Sequence, residues 1–97
     1  MNKMLMLVYN EAIDAEVMEM LEKSGIRNFT KTRGVFGRGS SSGTHLGNDI
    51  WPGLNNLLFA ACEEKEAKSA FEGVKELRKT LGKEGVKAFL LPLEALT

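Results

Sequence analysis

Two short runs decide most of what this chain can fold into: Lys3 to Tyr9 (KMLMLVY), and LLFAAC within the segment Asn55 to Cys62. Both are apolar at nearly every position, so neither has the polar face of a surface helix or of a strand with one wet side. Runs this short and this apolar fit strands covered on both faces, in the middle of a sheet. Neither approaches the roughly 20 residues needed to cross a bilayer. The single lysine ahead of the first run resembles the start of a secretion signal, but a full-length apolar region and a small-residue cleavage site are missing. Residues 3–9 therefore read as the first strand.

The segments between and after these runs are less apolar. After the first, Asp14 offers an N-cap oxygen. Ile13 and Met18 flank it at the spacing of a hydrophobic staple, and Val17, Met20, Leu21 and Ser24 follow one helical face up to Gly25. Arg27 to Phe36 is rich in β-formers yet carries Lys31 and Arg33, which suits an edge strand. Glu63 to Leu81 sets Ala67, Ala70, Phe71, Val74, Leu77 and Leu81 at three-and-four spacing and predicts a helix, with Lys68 and Glu72 paired on its wet side and Gly73 its one costly residue. Val86 to Leu93 predicts a last strand, with Pro92 at an edge or a strand end.

The order β, α, β, loop, β, α, β is the split βαβ arrangement. It predicts an α+β, ferredoxin-like βαββαβ sandwich: a four-stranded antiparallel sheet, strands one and three inside, two and four at the edges, both helices on one face. Two helices cannot cover both faces of strands as apolar as these. The open face needs a partner, and another copy of the chain is the simplest one. At 97 residues the chain is expected to form one domain. Thirteen basic against thirteen acidic residues give no net field to draw it to nucleic acid or an anionic membrane. A lone cysteine, Cys62, excludes an internal disulfide and fits the cytoplasm.

Residues 37–53 are the least ordinary part of the sequence. These 17 residues, rich in glycine and serine and without apolar period, exceed the roughly 12 to 15 beyond which a structureless loop is usually functional or disordered. Gly37, Arg38, Gly39, Ser40, Ser41, Ser42, Gly43 and Thr44 can form a nest of backbone N–H groups and hydroxyls around an anion, or simply a flexible loop. The spacing matches neither dinucleotide-binding nor Walker-type glycine motifs, and a strand follows instead of the required helix. His45, Asp49 and Cys62 are metal-ligating types without paired spacing, so no metal ligand is assigned. The serines with His45 and Asp49 contain the ingredients of a nucleophilic triad, but no rigid scaffold would aim them. Met4, Met6, Met18 and Met20 read as core filling. Trp51 is either a partner anchor or a plug over the loop base.

Phe36-Gly37-Arg38, where the edge strand gives way to the loop, resembles the corresponding stretch of PII nitrogen-regulatory proteins. Thr80, Lys87 and Phe89 fall where that family has the threonine, lysine and phenylalanine of a T-G-x-x-G-D-G-K-I-F stretch. The resemblance spans nearly the whole chain in the order and length of its elements. It implies a regulator and not an enzyme: a homotrimer whose clefts between subunits bind AMP, ADP or ATP, and whose loops reach a transporter or an enzyme. The residues it places near the ligand are Thr30, Phe36, Gly37, Arg38, Gly39 and Lys87, with Arg38 and Lys87 meeting negative charge. Ser41, Gly43, His45 and Trp51 belong to the partner-binding loop. A metal-binding trimer of the copper-tolerance type is the first alternative; a small ferredoxin-like enzyme using the open sheet face is the second.

Three departures shape these expectations. Leu81, Glu84, Gly85 and Val86 stand where the family has its phosphate-wrapping glycines and aspartate. The sequence stops at Thr97, where the family continues into a basic segment. The loop has no tyrosine to accept a uridylyl group. Nucleotide binding weaker than in a PII protein with the full phosphate loop is therefore expected.

Overall fold

The computed structural model describes residues 2–37, 54–81 and 85–97. Strand β1 (Asn2–Asn10) is followed by a single 3-10 turn (Glu11–Ile13) and helix α1 (Asp14–Lys23). Strands β2 (Thr30–Val35) and β3 (Asn55–Glu63), helix α2 (Glu64–Leu81) and strand β4 (Val86–Pro92) complete the described elements. The sheet order is β2-β3-β1-β4, and every pairing is antiparallel. This is the ferredoxin-like arrangement expected from the two apolar runs, which form the inner strands β1 and β3.

Alternation along the inner strands sorts their side chains. Leu5, Leu7 and Tyr9 of β1 and Leu58, Ala60 and Cys62 of β3 are buried, and they pack with Val17, Met20 and Leu21 of α1 and Ala67, Ala70 and Val74 of α2. The other side of the sheet carries Met4, Met6 and Val8, with Leu57, Phe59 and Ala61 opposite them on β3 and Lys87, Phe89 and Leu91 on β4. Phe59, Phe89 and Leu91 are exposed there. Met4 and Met6 thus differ from the reading of the methionines as core: they sit half-covered on the open face, while Met20 is buried and Met18 packs against the core.

Helix α1 ends as its sequence requires. Gly25 adopts φ +85°, its N–H donates to the Glu22 carbonyl at 3.1 Å, and the Ile26 N–H donates to the Leu21 carbonyl at 3.0 Å. This pair of bonds is the Schellman motif, closed by Ile26 burying its side chain. The start of α1 differs from expectation. Asn10 accepts from the Ala12 N–H at 2.8 Å and caps the 3-10 turn, whereas Ile13 stands at the α1 N-cap without a side-chain bond, and Asp14 is already helical. In α2, Gly73 sits where a Cβ would lie 2.7 Å from Met20 Cγ, so its missing side chain lets the two helices approach. Lys68 pairs with Glu64 at 3.0 Å and Glu72 with Lys75 at 3.0 Å, in place of the expected Lys68–Glu72 pair. Strand β2 is shorter than the stretch Arg27 to Phe36: its ladder to β3 is regular from Thr30 to Thr32 and shifts before Val35, with Gly34 at φ +72°. No described helix is long and apolar enough to cross a membrane.

Candidate functional site

Register places the expected ligand residues. Thr30 lies opposite Phe59, which lies opposite Met6, which lies opposite Phe89; one row further, Thr32, Leu57, Val8 and Lys87 stand in line. Directly opposed residues of an antiparallel pair share a face. Thr30 and Lys87 therefore both stand on the open face, at its two opposite edges. Three strand spacings separate those edges, about 14 Å. A single chain does not bring Thr30 and Lys87 to one small ligand.

Lys87 is exposed, and its ammonium lies 5.9 Å from the centroid of the Phe89 ring. Phe36 is 75% exposed, the most open large apolar side chain among the described residues. Gly37 follows it at the end of the sheet where β3 begins, and a Cβ at Gly37 would run into the Asn55 side-chain amide. The remaining expected residues, Arg38, Gly39, Ser41, Gly43, His45 and Trp51, lie outside the described residues. Among the described residues no three His, Cys, Asp or Glu side chains converge in a metal-binding group. Cys62 is buried on the helix side of the sheet, where burial, helped by Glu66, pushes its thiol pKa up.

A second polar constellation was not foreseen from the sequence. The Tyr9 hydroxyl donates to Asp14 Oδ1 at 2.6 Å, Lys31 Nζ lies 3.1 Å from both Asp14 oxygens, and Asn56 Nδ2 donates to Oδ1 at 3.3 Å. Four elements meet in this cluster: the end of β1, the first residue of α1, the start of β2 and the start of β3. Burial alone would raise the Asp14 pKa, but the Tyr9 hydroxyl and the Lys31 ammonium outweigh it and hold the carboxyl below its ordinary value. Burial and the Asp14 carboxylate push the Tyr9 phenol far above its ordinary value. Asn56 is buried, and among the described residues its Oδ1 has no hydrogen-bond partner. An unmet buried acceptor of this kind costs about 1 to 3 kcal/mol. What hid this cluster in the sequence is separation, since Lys31 is 17 and Asn56 42 residues from Asp14.

The fold and this open face define a class: a small α+β module with one side of its sheet covered by helices and the other side apolar and covered by no described helix. Comparison with known proteins narrows the class. Residues 2–97 match the family model of the nitrogen regulatory protein P-II, and the chain belongs to that family. A GlnB-like protein from the nifHD1 nitrogen-fixation region of Methanosarcina barkeri is 30% identical over 94 residues, which cover 95% of this chain and 88% of that one. Among solved structures, CPII from Thiomonas intermedia K12, a nitrogen regulatory PII-like protein bound to ADP, AMP and bicarbonate, superposes with a TM-score of 0.75. Its identity is 19%, over 92% of this chain and 82% of CPII. The apo form of CPII superposes with a TM-score of 0.68 at 16% identity, over 92% of this chain and 85% of CPII. The family is one of regulatory proteins.

Proposed function

We propose that this chain, as one domain, is a cytoplasmic PII-like signalling protein that binds an adenine nucleotide or a smaller anion in clefts between the subunits of a homotrimer. It reports that ligand to a transporter or enzyme through residues 37–53. The observation that carries this reading is the placement of Thr30 and Lys87 on one sheet face but at opposite edges. Two chains associating through their apolar open faces can set the β2 edge of one beside the β4 edge of another, which a single chain cannot do. The nucleotide class draws on CPII, a family relative of the same fold that is bound to ADP and AMP.

Within such a cleft Lys87 supplies charge, and Thr30 a hydroxyl donor. Gly37 and Gly39 supply backbone N–H groups, Arg38 a bidentate donor, and Phe36 an apolar wall. Signalling is a population shift: the ligand binds one arrangement of 37–53 better, and the partner recognises that arrangement, with Ser41, Gly43, His45 and Trp51 on its surface. Among the described residues no observation favours the metal-binding alternative, and the Cys62 thiol is buried away from the open face.

Calorimetric titration of AMP, ADP and ATP into wild type, Lys87→Ala and Arg38→Ala tests the placement. Losing one charge-assisted contact to a phosphate costs about 1.5 to 3 kcal/mol, so each variant is expected to bind roughly tenfold to a hundredfold more weakly. Unchanged affinity in both variants would remove these residues from the site. No heat at millimolar nucleotide would remove the nucleotide itself.

A further inference from the structure

Strand β2 is held less firmly than the rest of the sheet. None of its side chains belongs to the buried core, all six residues are half- or fully exposed, and its ladder to β3 is regular only from Thr30 to Thr32. Among the described residues, the one side-chain bond that ties β2 to the rest of the molecule is Lys31 to Asp14. That bond reaches past the sheet to the first turn of α1. Tyr9 and Asn56 fix the carboxylate from β1 and β3.

We propose that the Asp14–Lys31 pair, oriented by Tyr9 and Asn56, is a latch that keeps edge strand β2 on the sheet and whose release frees β2 without unfolding the remaining strands. Three features separate a latch from a surface ion pair. The Lys31 ammonium contacts both carboxylate oxygens, where the other described lysine pairs are exposed contacts within one helix. The pair joins different structural layers, so its loss is felt by β2 and not along one helix. The cluster is also incompletely satisfied, because among the described residues Asn56 Oδ1 is buried without a donor, so the closed arrangement carries a polar cost that release to water relieves. β2 carries Thr30 and runs directly into Phe36 and Gly37, so its release displaces them. The inference does not depend on the identity of any effector.

Hydrogen exchange read by mass spectrometry on the full, ligand-free chain tests it, using wild type, Lys31→Met, Asp14→Asn and Tyr9→Phe, with Lys79→Met as the exposed-pair control. Lys31→Met and Asp14→Asn are expected to speed exchange at residues 30–32 by roughly fivefold while residues 4–8 and 87–91 keep their protection. Tyr9→Phe, which keeps its ring in the core, should move the same amides in the same direction by less. The double variant Lys31→Met/Asp14→Asn should exchange no faster than the faster single variant, and the control should match wild type. Unchanged protection of β2 in Lys31→Met overturns the latch. So does acceleration spread equally over β1 and β4, which marks a general loss of stability, and so does additivity of the two single effects.

Discussion

At the scale of single residues, Tyr9 and Asp14 make opposite demands on pH. The phenol of Tyr9 is pushed up in the folded chain, so the stability it lends is fully present below its unfolded value of about 10 and is lost as pH rises further. Tyr9 is the only tyrosine, so the tyrosinate absorbance of the whole protein reports this one group. Its ionisation is expected only together with alkaline unfolding; a reversible titration near pH 10 with native circular dichroism would contradict the buried hydrogen bond to Asp14. The carboxyl of Asp14 is depressed, so its stabilisation is present above the unfolded value of about 4 and is lost as pH falls through the lower folded value. Because Asp14 is about one-third exposed, screening limits the Lys31 pair to about 1 kcal/mol. Wild type should melt above Asp14→Asn at pH 7, and the gap should close as pH falls well below 4; a gap that persists in acid would assign the difference to something other than charge. The sequence pointed to Asp14 for a different reason. An acidic residue between Ile13 and Met18 carries the signature of an N-cap, and nothing local distinguishes a carboxylate that caps from one that turns to a lysine on a distant strand.

At the scale of elements, Gly73 shows how helix packing and helix propensity compete. Replacing it with alanine gains about 1 kcal/mol of propensity but sets a Cβ 2.7 Å from Cγ of the buried Met20, near the root of that side chain, so Met20 must shift and the gain is offset. Gly73→Val adds two branches that cannot be absorbed and is expected to cost about 1 to 3 kcal/mol, read as a lower Tm; a Val variant as stable as wild type would mean that α1 and α2 are not in close contact there. The inner strands and both helices were legible because their signals are local: continuous apolar runs for β1 and β3, a three-and-four stripe for α2, a glycine for the end of α1. Strand β2 was legible as an edge from Lys31 and Arg33, but its true start at Thr30 and its interruption at Gly34 depend on pairing with β3. The position of the methionines went astray for the same reason. Met4 and Met6 alternate correctly for a strand, yet which face the helices cover is settled only when the elements pack.

At the scale of the whole molecule, the open face joins everything proposed for function. Met4, Met6, Val8, Leu57, Phe59, Ala61, Phe89 and Leu91 form three registered rows that no described helix covers, and an apolar face of this kind marks an association surface. Size exclusion with light scattering at micromolar concentration is expected to give about three times the 10.7 kDa of the chain; a stable monomer would leave the face unexplained. The sequence supplied the family through Phe36-Gly37-Arg38 and the Thr80, Lys87, Phe89 spacing, and it supplied the need for a partner. The expected strand order already set Thr30 and Lys87 on opposite edge strands, but it could not supply their standing on one face, because that is a property of register. Met6, at the centre of the middle row between Phe59 and Phe89, offers the most direct test that the site is shared between chains. Calorimetric titration of ADP into wild type and into Met6→Asp, with circular dichroism confirming the native fold of the variant, should show one site per chain in the wild type and no measurable binding once the variant is monomeric. A monomeric Met6→Asp that binds ADP as tightly as wild type would place the site within a single chain and contradict the account.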